Sequence, residues 1–136
     1  EATALAAGHR PCFFCRRDDA NRFRAAWAEG NAVSSPRAKE MDDVLHGERL
    51  DGRIKRPHPL PGRLDDLPDG AMAHAGGETF LIVKGRALRW SFDGYQPADM
   101  PTDDVQLITP PSTLRALRAG YRPVLHPSAS IANPVA

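Results

Sequence analysis

The chain lacks the features that identify membrane proteins, secreted disulfide proteins and strongly charged proteins. It has no run of about 18 or more apolar residues, so no segment is predicted to span a membrane. No signal-peptide pattern is visible, and a formal net charge of +1 does not indicate a nucleic-acid partner. Two cysteines, Cys12 and Cys15, are too few for an extracellular disulfide framework, so we expect a reducing, cytoplasmic location.

Several catalytic motifs are missing as well. The chain has no glycine-rich phosphate loop, no serine nucleophile elbow and no pair of carboxylates with a clear catalytic partner. It opens at Glu1, directly before an apolar helical pattern and without an initiator methionine, so we expect upstream residues to precede it. Its 136 residues are predicted to form one domain, 1–136.

Residues 1–50 are predicted to be helical and to hold the metal-binding part. The first helix ends at Gly8, because glycine readily takes the left-handed conformation that follows many helices. Asp18 or Asp19 is expected to cap a second helix, and Ser35-Pro36 is a start signal for a third. The side chains expected to face inward on the last two helices are Ala20, Phe23, Trp27, Ala38, Met41, Val44 and Leu45.

The second half has the pattern of strands followed by one helix. Residues 51–70 are predicted to be a proline- and glycine-rich loop, and residues 71–136 a small sheet plus a helix. Segments 80–83 and 87–90, joined by Lys84-Gly85, predict a hairpin, and 105–108 a third strand. The expected fold is α+β: a helical N-terminal half around a C-x-x-C turn, a small antiparallel sheet and a closing C-terminal helix.

The C-x-x-C spacing of Cys12 and Cys15 supports three interpretations. Both sulfurs can bind one tetrahedral zinc ion, and nearby Arg10, Arg16 and Arg17 favour the thiolate form. A redox dithiol is the second interpretation, although such pairs usually follow a strand in a βαβ unit. The third is two thiols that merely pack as small apolar groups, which would make this a metal-free structural or interaction domain.

A tetrahedral site needs two more ligands, and the chain has no other cysteine. The candidates are His9, His46, Glu48 and His126. His126 stands out because residues 116–126 repeat the helix-Gly-x-Arg-Pro pattern of residues 4–15, which predicts two similar helix-to-turn exits. An upstream segment or a second chain is the other expected source of ligands.

Residues 1–15, EATALAAGHRPCFFC, resemble the second zinc-ligand segment of the metal-binding domain of the Ada DNA-repair protein, E-A-L-A-A-G-[FY]-R-P-C-K-x-C. The resemblance implies that Cys12 and Cys15 are zinc ligands and that Arg10 lies near the nucleic-acid side. It covers about the first 18 residues, and the family's first, earlier ligand pair is not present. Phe13 and Phe14 stand where that family has basic residues between its cysteines.

An enzymatic alternative uses the same cysteines. Zinc deaminases combine H-x-E with P-C-x-x-C, so His46 would bind zinc beside Cys12 and Cys15, and Glu48 would be the catalytic proton shuttle. Here the two motifs stand in the reverse order, and the ordinary explanation of His46-Gly47-Glu48 is a helix end with a dipole-favoured histidine.

Local basic clusters suggest nucleic-acid association despite the small net charge. Arg10, Arg16 and Arg17 surround the cysteines, and Phe13 and Phe14 are available to stack on exposed bases. A second basic cluster lies in the predicted loop and comprises Arg53, Lys55 and Arg56. Acidic pairs elsewhere give the surface both signs of charge; they are Asp18-Asp19, Asp42-Asp43, Asp65-Asp66 and Asp103-Asp104. The leading hypothesis is therefore a zinc-binding module associated with nucleic acid.

Overall fold

The computed structural model describes residues 1–51, 54–55 and 58–131, and for residues 50, 51, 54, 55, 130 and 131 the backbone alone. Arg53 and Arg56 of the predicted basic loop lie outside the described residues, and so does the side chain of Lys55. Among the described helices, none combines the length and apolar character needed to span a membrane.

The chain forms helices, then strands, then two helices, where one closing helix was predicted. The helices are α1 (Ala2–Ala6), α2 (Arg17–Gly30), α3 (Ala38–Arg49), α4 (Pro111–Arg118) and α5 (Pro127–Ile131). The strands are β1 (Leu50–Asp51), β2 (Ile54–Lys55), β3 (His58–Pro59), β4 (Met72–Ala75), β5 (Glu78–Val83), β6 (Arg86–Ser91), β7 (Gly94–Ala98) and β8 (Gln106–Leu107), with a 3₁₀ turn at Leu64–Asp66. The α+β fold class is confirmed.

Six strands form one antiparallel sheet in the spatial order β3-β8-β4-β5-β6-β7, while β1 and β2 pair separately. The predicted hairpin is confirmed, since Ile82 lies opposite Ala87, and Lys84 and Gly85 have the positive φ values of a tight hairpin turn, 50° and 72°. The predicted third strand is present as β8. β7 was missed because Pro97 argues against a strand, but β7 is an edge strand, where proline is tolerated.

The sheet is covered by helices on both faces. In β5 the four residues from Phe80 to Val83 are all buried, because alternate side chains point to opposite covered faces. One face packs against α2, α3 and α4 through Ala73, Phe80, Ile82, Ala87 and Leu107. The other face packs against α1 and α5 through Met72, Leu81, Val83, Leu88 and Tyr95.

The structure corrects four details of the predicted elements. α2 begins with Arg16 at its N-cap and no side-chain cap, so Asp18 and Asp19 lie in the first turn. The single closing helix is in fact two, α4 and α5, because Gly120 follows the end of the first and Pro127 begins the second. Residues 51–70 contain strand residues and the 3₁₀ turn as well as loop. Val44, expected to face inward, is exposed.

Helices α2 and α4 approach so closely that one position in α2 has no room for a side chain. A Cβ on Gly30 would lie 2.3 Å from the carbonyl oxygen of Arg115. Beside it, the Asn31 amide donates hydrogen bonds to the carbonyls of Trp27 and Ser112, at 3.1 and 3.0 Å, and its oxygen accepts one from Arg115 at 3.0 Å. The end of α2 is thereby joined to α4.

Gly30→Ala is expected to lower the free energy of unfolding by about 2 kcal/mol or more, because the added methyl forces the two helices apart. Gly47→Ala is the matched control in α3, where a Cβ would meet nothing within 4 Å. It is expected to raise stability by about 0.5–1 kcal/mol through its helix propensity. Chemical denaturation measures both, and a neutral Gly30→Ala would contradict this packing.

Candidate functional site

Helices α1 and α4 end in backbone turns of the same type, as the internal repeat predicts. At the end of α1, the N–H of Gly8 donates to the carbonyl of Leu5 and the N–H of His9 to that of Ala4, both at 3.0 Å. At the end of α4, Gly120 and Tyr121 repeat these bonds to Leu117 and Ala116, both at 3.1 Å. Gly8 and Gly120 have φ of 92° and 118°, so both exits are Schellman motifs. The predicted similarity of the two exits is confirmed.

The carboxylate of Glu1 connects the segments that follow these two turns. It accepts hydrogen bonds from Arg16 at 2.8 Å, from the Tyr121 hydroxyl at 2.6 Å and from the Val124 N–H at 2.7 Å. Burial raises the pKa of Glu1, but these hydrogen bonds outweigh it and hold the pKa below its ordinary value. Tyr121 in turn packs edge-on against Phe23, with 5.2 Å between ring centroids.

The cysteine turn lies between the α1 exit and the start of α2. Both thiols are free and exposed. The turn is closed by a hydrogen bond from the Arg16 N–H to the Cys12 carbonyl at 2.9 Å, and the Cys15 N–H donates to Cys12 Sγ at 3.2 Å. The backbone therefore presents donors to the first sulfur and leaves the second sulfur beside it.

The two thiols have opposite electrostatic settings. The pKa of Cys12 is lowered by backbone hydrogen bonds from Cys15 and then Phe14, by the Cys15 thiol and by the charge of Arg10. The pKa of Cys15 is raised, because its proton is held by the Cys12 sulfur and a second negative charge there would be repelled. The Cys12 thiol is therefore the more acidic of the two, since its pKa is lowered and that of Cys15 is raised.

Phe13 and Phe14 have different surroundings. Phe13 packs against the core, with the guanidinium carbons of Arg10 and Arg24 each 5.1 Å from its ring centroid. Phe14 is 95% exposed. Phe13 therefore helps to anchor the cysteine turn, while Phe14 presents an apolar ring to solvent next to the thiols.

An open cleft of about 590 Å³ separates the cysteine turn from α3. His9, Arg10 and Cys12 line one side, and Asp42 and His46 the other. Arg10 crosses it and donates two hydrogen bonds to the Asp42 carboxylate, at 2.9 and 3.0 Å. This bidentate pair fixes the turn against α3.

The structure brings together only some of the predicted metal ligands. His46 and His9 line the same cleft as Cys12, but among the described residues no three His, Cys, Asp or Glu side chains form a group that could hold a metal ion. His126 lies elsewhere: its Nδ1 accepts from the Ser128 N–H at 3.1 Å, and its ring lies against Tyr95. The repeat correctly predicted matching turns at Gly8 and Gly120, but the chain that follows Gly120 does not bring His126 to the cysteines.

Glu48 has a structural partner that accounts for its position. Its carboxylate accepts the backbone N–H of Ser112 at 3.0 Å and the Ser112 hydroxyl at 2.6 Å, at the start of α4. It does not line the cleft that holds Cys12 and His46. Two positions apart on a helix, His46 and Glu48 face different directions. The geometry therefore does not assemble the predicted proton shuttle beside the thiols.

The arginines predicted to contact nucleic acid are mostly engaged within the protein. Arg10 is paired with Asp42, and Arg16 with Glu1 and Asp19. Arg17 is exposed and has no ion pair among the described residues. Sequence reasoning missed Asp42 and Glu1 as partners, and no local pattern marks them, because each pairs with a residue distant in the chain.

Comparisons with protein-family models, with curated proteins and with solved structures give no match to this chain.

Glu1→Ala is expected to lower the free energy of unfolding by about 1–3 kcal/mol near neutral pH, because Arg16 and Tyr121 lose a buried partner. A folded-state pKa below 4.5 stabilises the protein above that pH, and this contribution is lost as pH falls through the folded value. The difference in free energy of unfolding between wild type and the variant should therefore become smaller below about pH 4.5, measured by denaturation at a series of pH values. Glu29→Ala, at an exposed position, is the control. A constant difference across this pH range would contradict the Glu1 network.

Glu48→Ala is expected to destabilise the protein by about 1–2 kcal/mol, because the first turn of α4 loses its carboxylate partner. Glu40→Ala in the first turn of α3 tests an equivalent loss at an exposed site. Thermal and chemical denaturation measure the effect. A stability equal to that of wild type would contradict the role of Glu48 in capping α4 and would favour a reactive role for its carboxylate.

Proposed function

We propose that the protein is a zinc-binding module in which Cys12 and Cys15 are two of the ligands. The observation that carries this proposal is the turn itself: two adjacent, exposed thiols, with the N–H of Cys15 donating to the Cys12 sulfur. Zinc prefers thiolate ligands, with Zn–S bonds of about 2.3 Å, and backbone N–H donors stabilise a bound thiolate. The resemblance of residues 1–15 to the Ada ligand segment supports the same assignment.

The surroundings favour a metal over a redox role for this pair. Redox C-x-x-C pairs typically begin a helix after a strand of a βαβ unit. Here the pair follows helix α1 and a Schellman turn, and every strand pairing in the described sheet is antiparallel. A bound cation would favour both sulfurs as thiolates, because its charge would offset the hydrogen bond and the repulsion from Cys12 that raise the pKa of free Cys15.

Nucleic-acid association is the less supported part of the proposal. It rests on exposed Phe14, which offers a stacking surface, and on exposed Arg17. Arg10 and Arg16 would first have to leave Asp42 and Glu1 to reach a phosphate. The deaminase-like alternative has still less support, since Glu48 is bonded to Ser112. Zinc binding by the two cysteines therefore has more support than either nucleic-acid association or a deaminase-like activity.

The test is zinc content and thermal stability of protein purified without a histidine tag and kept reduced. Wild type should retain zinc, and Cys12→Ser and Cys15→Ser should each lose most of it and melt at a lower temperature. His126→Ala is the matched control and should keep its zinc, since His126 packs against Tyr95. Wild-type protein that binds no zinc when titrated, with both thiols freely reactive, would overturn the proposal.

A further inference from the structure

The proposed zinc site is half complete within the described chain. Structural zinc sites are almost always four-coordinate, and the cysteine turn supplies two sulfurs. Among the described residues no third His, Cys, Asp or Glu joins them in a group that could hold a metal. Both thiols are exposed, so ligands from outside the chain can reach them.

We propose that a second copy of this chain completes the site with its own Cys12 and Cys15, so that one zinc ion joins two protomers through four thiolates. The inference rests on the zinc-binding role proposed above. A twofold axis through the metal would relate the two turns, and such an isologous contact requires only residues that this chain already has. Four cysteine thiolates form a common ligand set of structural zinc.

The exposed ring of Phe14 fits this contact. It is 95% exposed and lies in sequence between the two ligands, whereas neighbouring Phe13 is held between Arg10 and Arg24. Around a twofold axis at the metal, each Phe14 would meet the opposing turn. A buried aromatic side chain removes about 150–250 Å² from water, so the pairing would add apolar burial to the metal bonds.

The contact would depend on the metal, and Arg17 of each copy would suit the charge of the bound site. Four thiolates around one Zn²⁺ carry a net charge of about −2, which two exposed Arg17 side chains, one from each copy, would offset. Without zinc, no bond joins the two turns. A contact made by one short turn from each copy is also below the roughly 1,000 Å² of a stable protein interface, so zinc must supply most of the affinity.

Zinc titration of the full chain tests the inference, with light scattering after size exclusion and native mass spectrometry as readouts. The reduced, metal-free protein should be monomeric, and zinc uptake should saturate near half an equivalent per chain as a dimer forms. A chelator should reverse the dimer. Non-reducing electrophoresis must show no disulfide-linked dimer, since a dimer held by disulfides would overturn the zinc bridge.

Matched variants sharpen the result. Arg17→Glu should weaken zinc-dependent dimerisation roughly tenfold through like-charge repulsion at the contact, whereas Arg118→Glu, the same charge change at an exposed site on α4, should not. His9→Ala and His46→Ala should leave the half-equivalent stoichiometry unchanged. Phe14→Ala should weaken the dimer while each chain keeps both thiolates.

The outcomes separate the two proposals. One zinc per monomer, lost in His46→Ala or His9→Ala, would overturn the bridge, keep the zinc-binding role and place the remaining ligands in the cleft. One zinc per monomer that survives both histidine variants would also overturn the bridge. No zinc uptake would overturn the bridge and the zinc-binding module together.

Discussion

The carboxylate of Glu1 connects the two ends of the described chain and thereby sets the position of the cysteine turn. It lies 2.6 Å from the hydroxyl of Tyr121, across 120 positions of sequence, and 2.8 Å from Arg16, which directly follows Cys15. The Glu1 side chain is only 5% exposed. Removing any one of its partners would therefore leave a buried carboxylate with an unmade hydrogen bond. The geometry of an exposed turn thus depends on a buried contact.

The two Schellman turns show how one local pattern can serve two purposes. Both have an alanine- and leucine-rich helix, a glycine with positive φ and an Arg-Pro pair, and both make the same two hydrogen bonds. After Gly120, the next residue, Tyr121, is buried against Phe23. After Gly8, the next residue, His9, is exposed, and the chain continues to the thiols. The backbone path is local, but what each exit contacts depends on the side chains that follow.

This difference also explains which features could be predicted from sequence. Helices α1 to α4, the β5–β6 hairpin and the paired exits follow from glycine, proline and apolar spacing within a few residues. The contacts of Glu48 with Ser112 and of Arg10 with Asp42 join residues 64 and 32 positions apart, and no local signal marks them. For Glu48 the contact with Ser112 at the start of α4 gives a structural role that the sequence did not predict, beside the predicted proton shuttle. β4 was missed for a local reason: its alanine-rich sequence has low strand propensity.

The same long-range contacts bear on what the cysteine turn can do. Arg10 holds the turn to α3 through Asp42, Arg16 holds it to Glu1, and Phe13 is packed between two guanidinium groups. A turn fixed at three points loses little conformational freedom when its sulfurs bind a metal, so more of the metal–sulfur energy appears as affinity. Its two thiols and Phe14 are by contrast exposed to solvent. Two exposed thiols on a turn fixed in this way are better placed to bind a metal or partner from outside the fold than to hold the fold together.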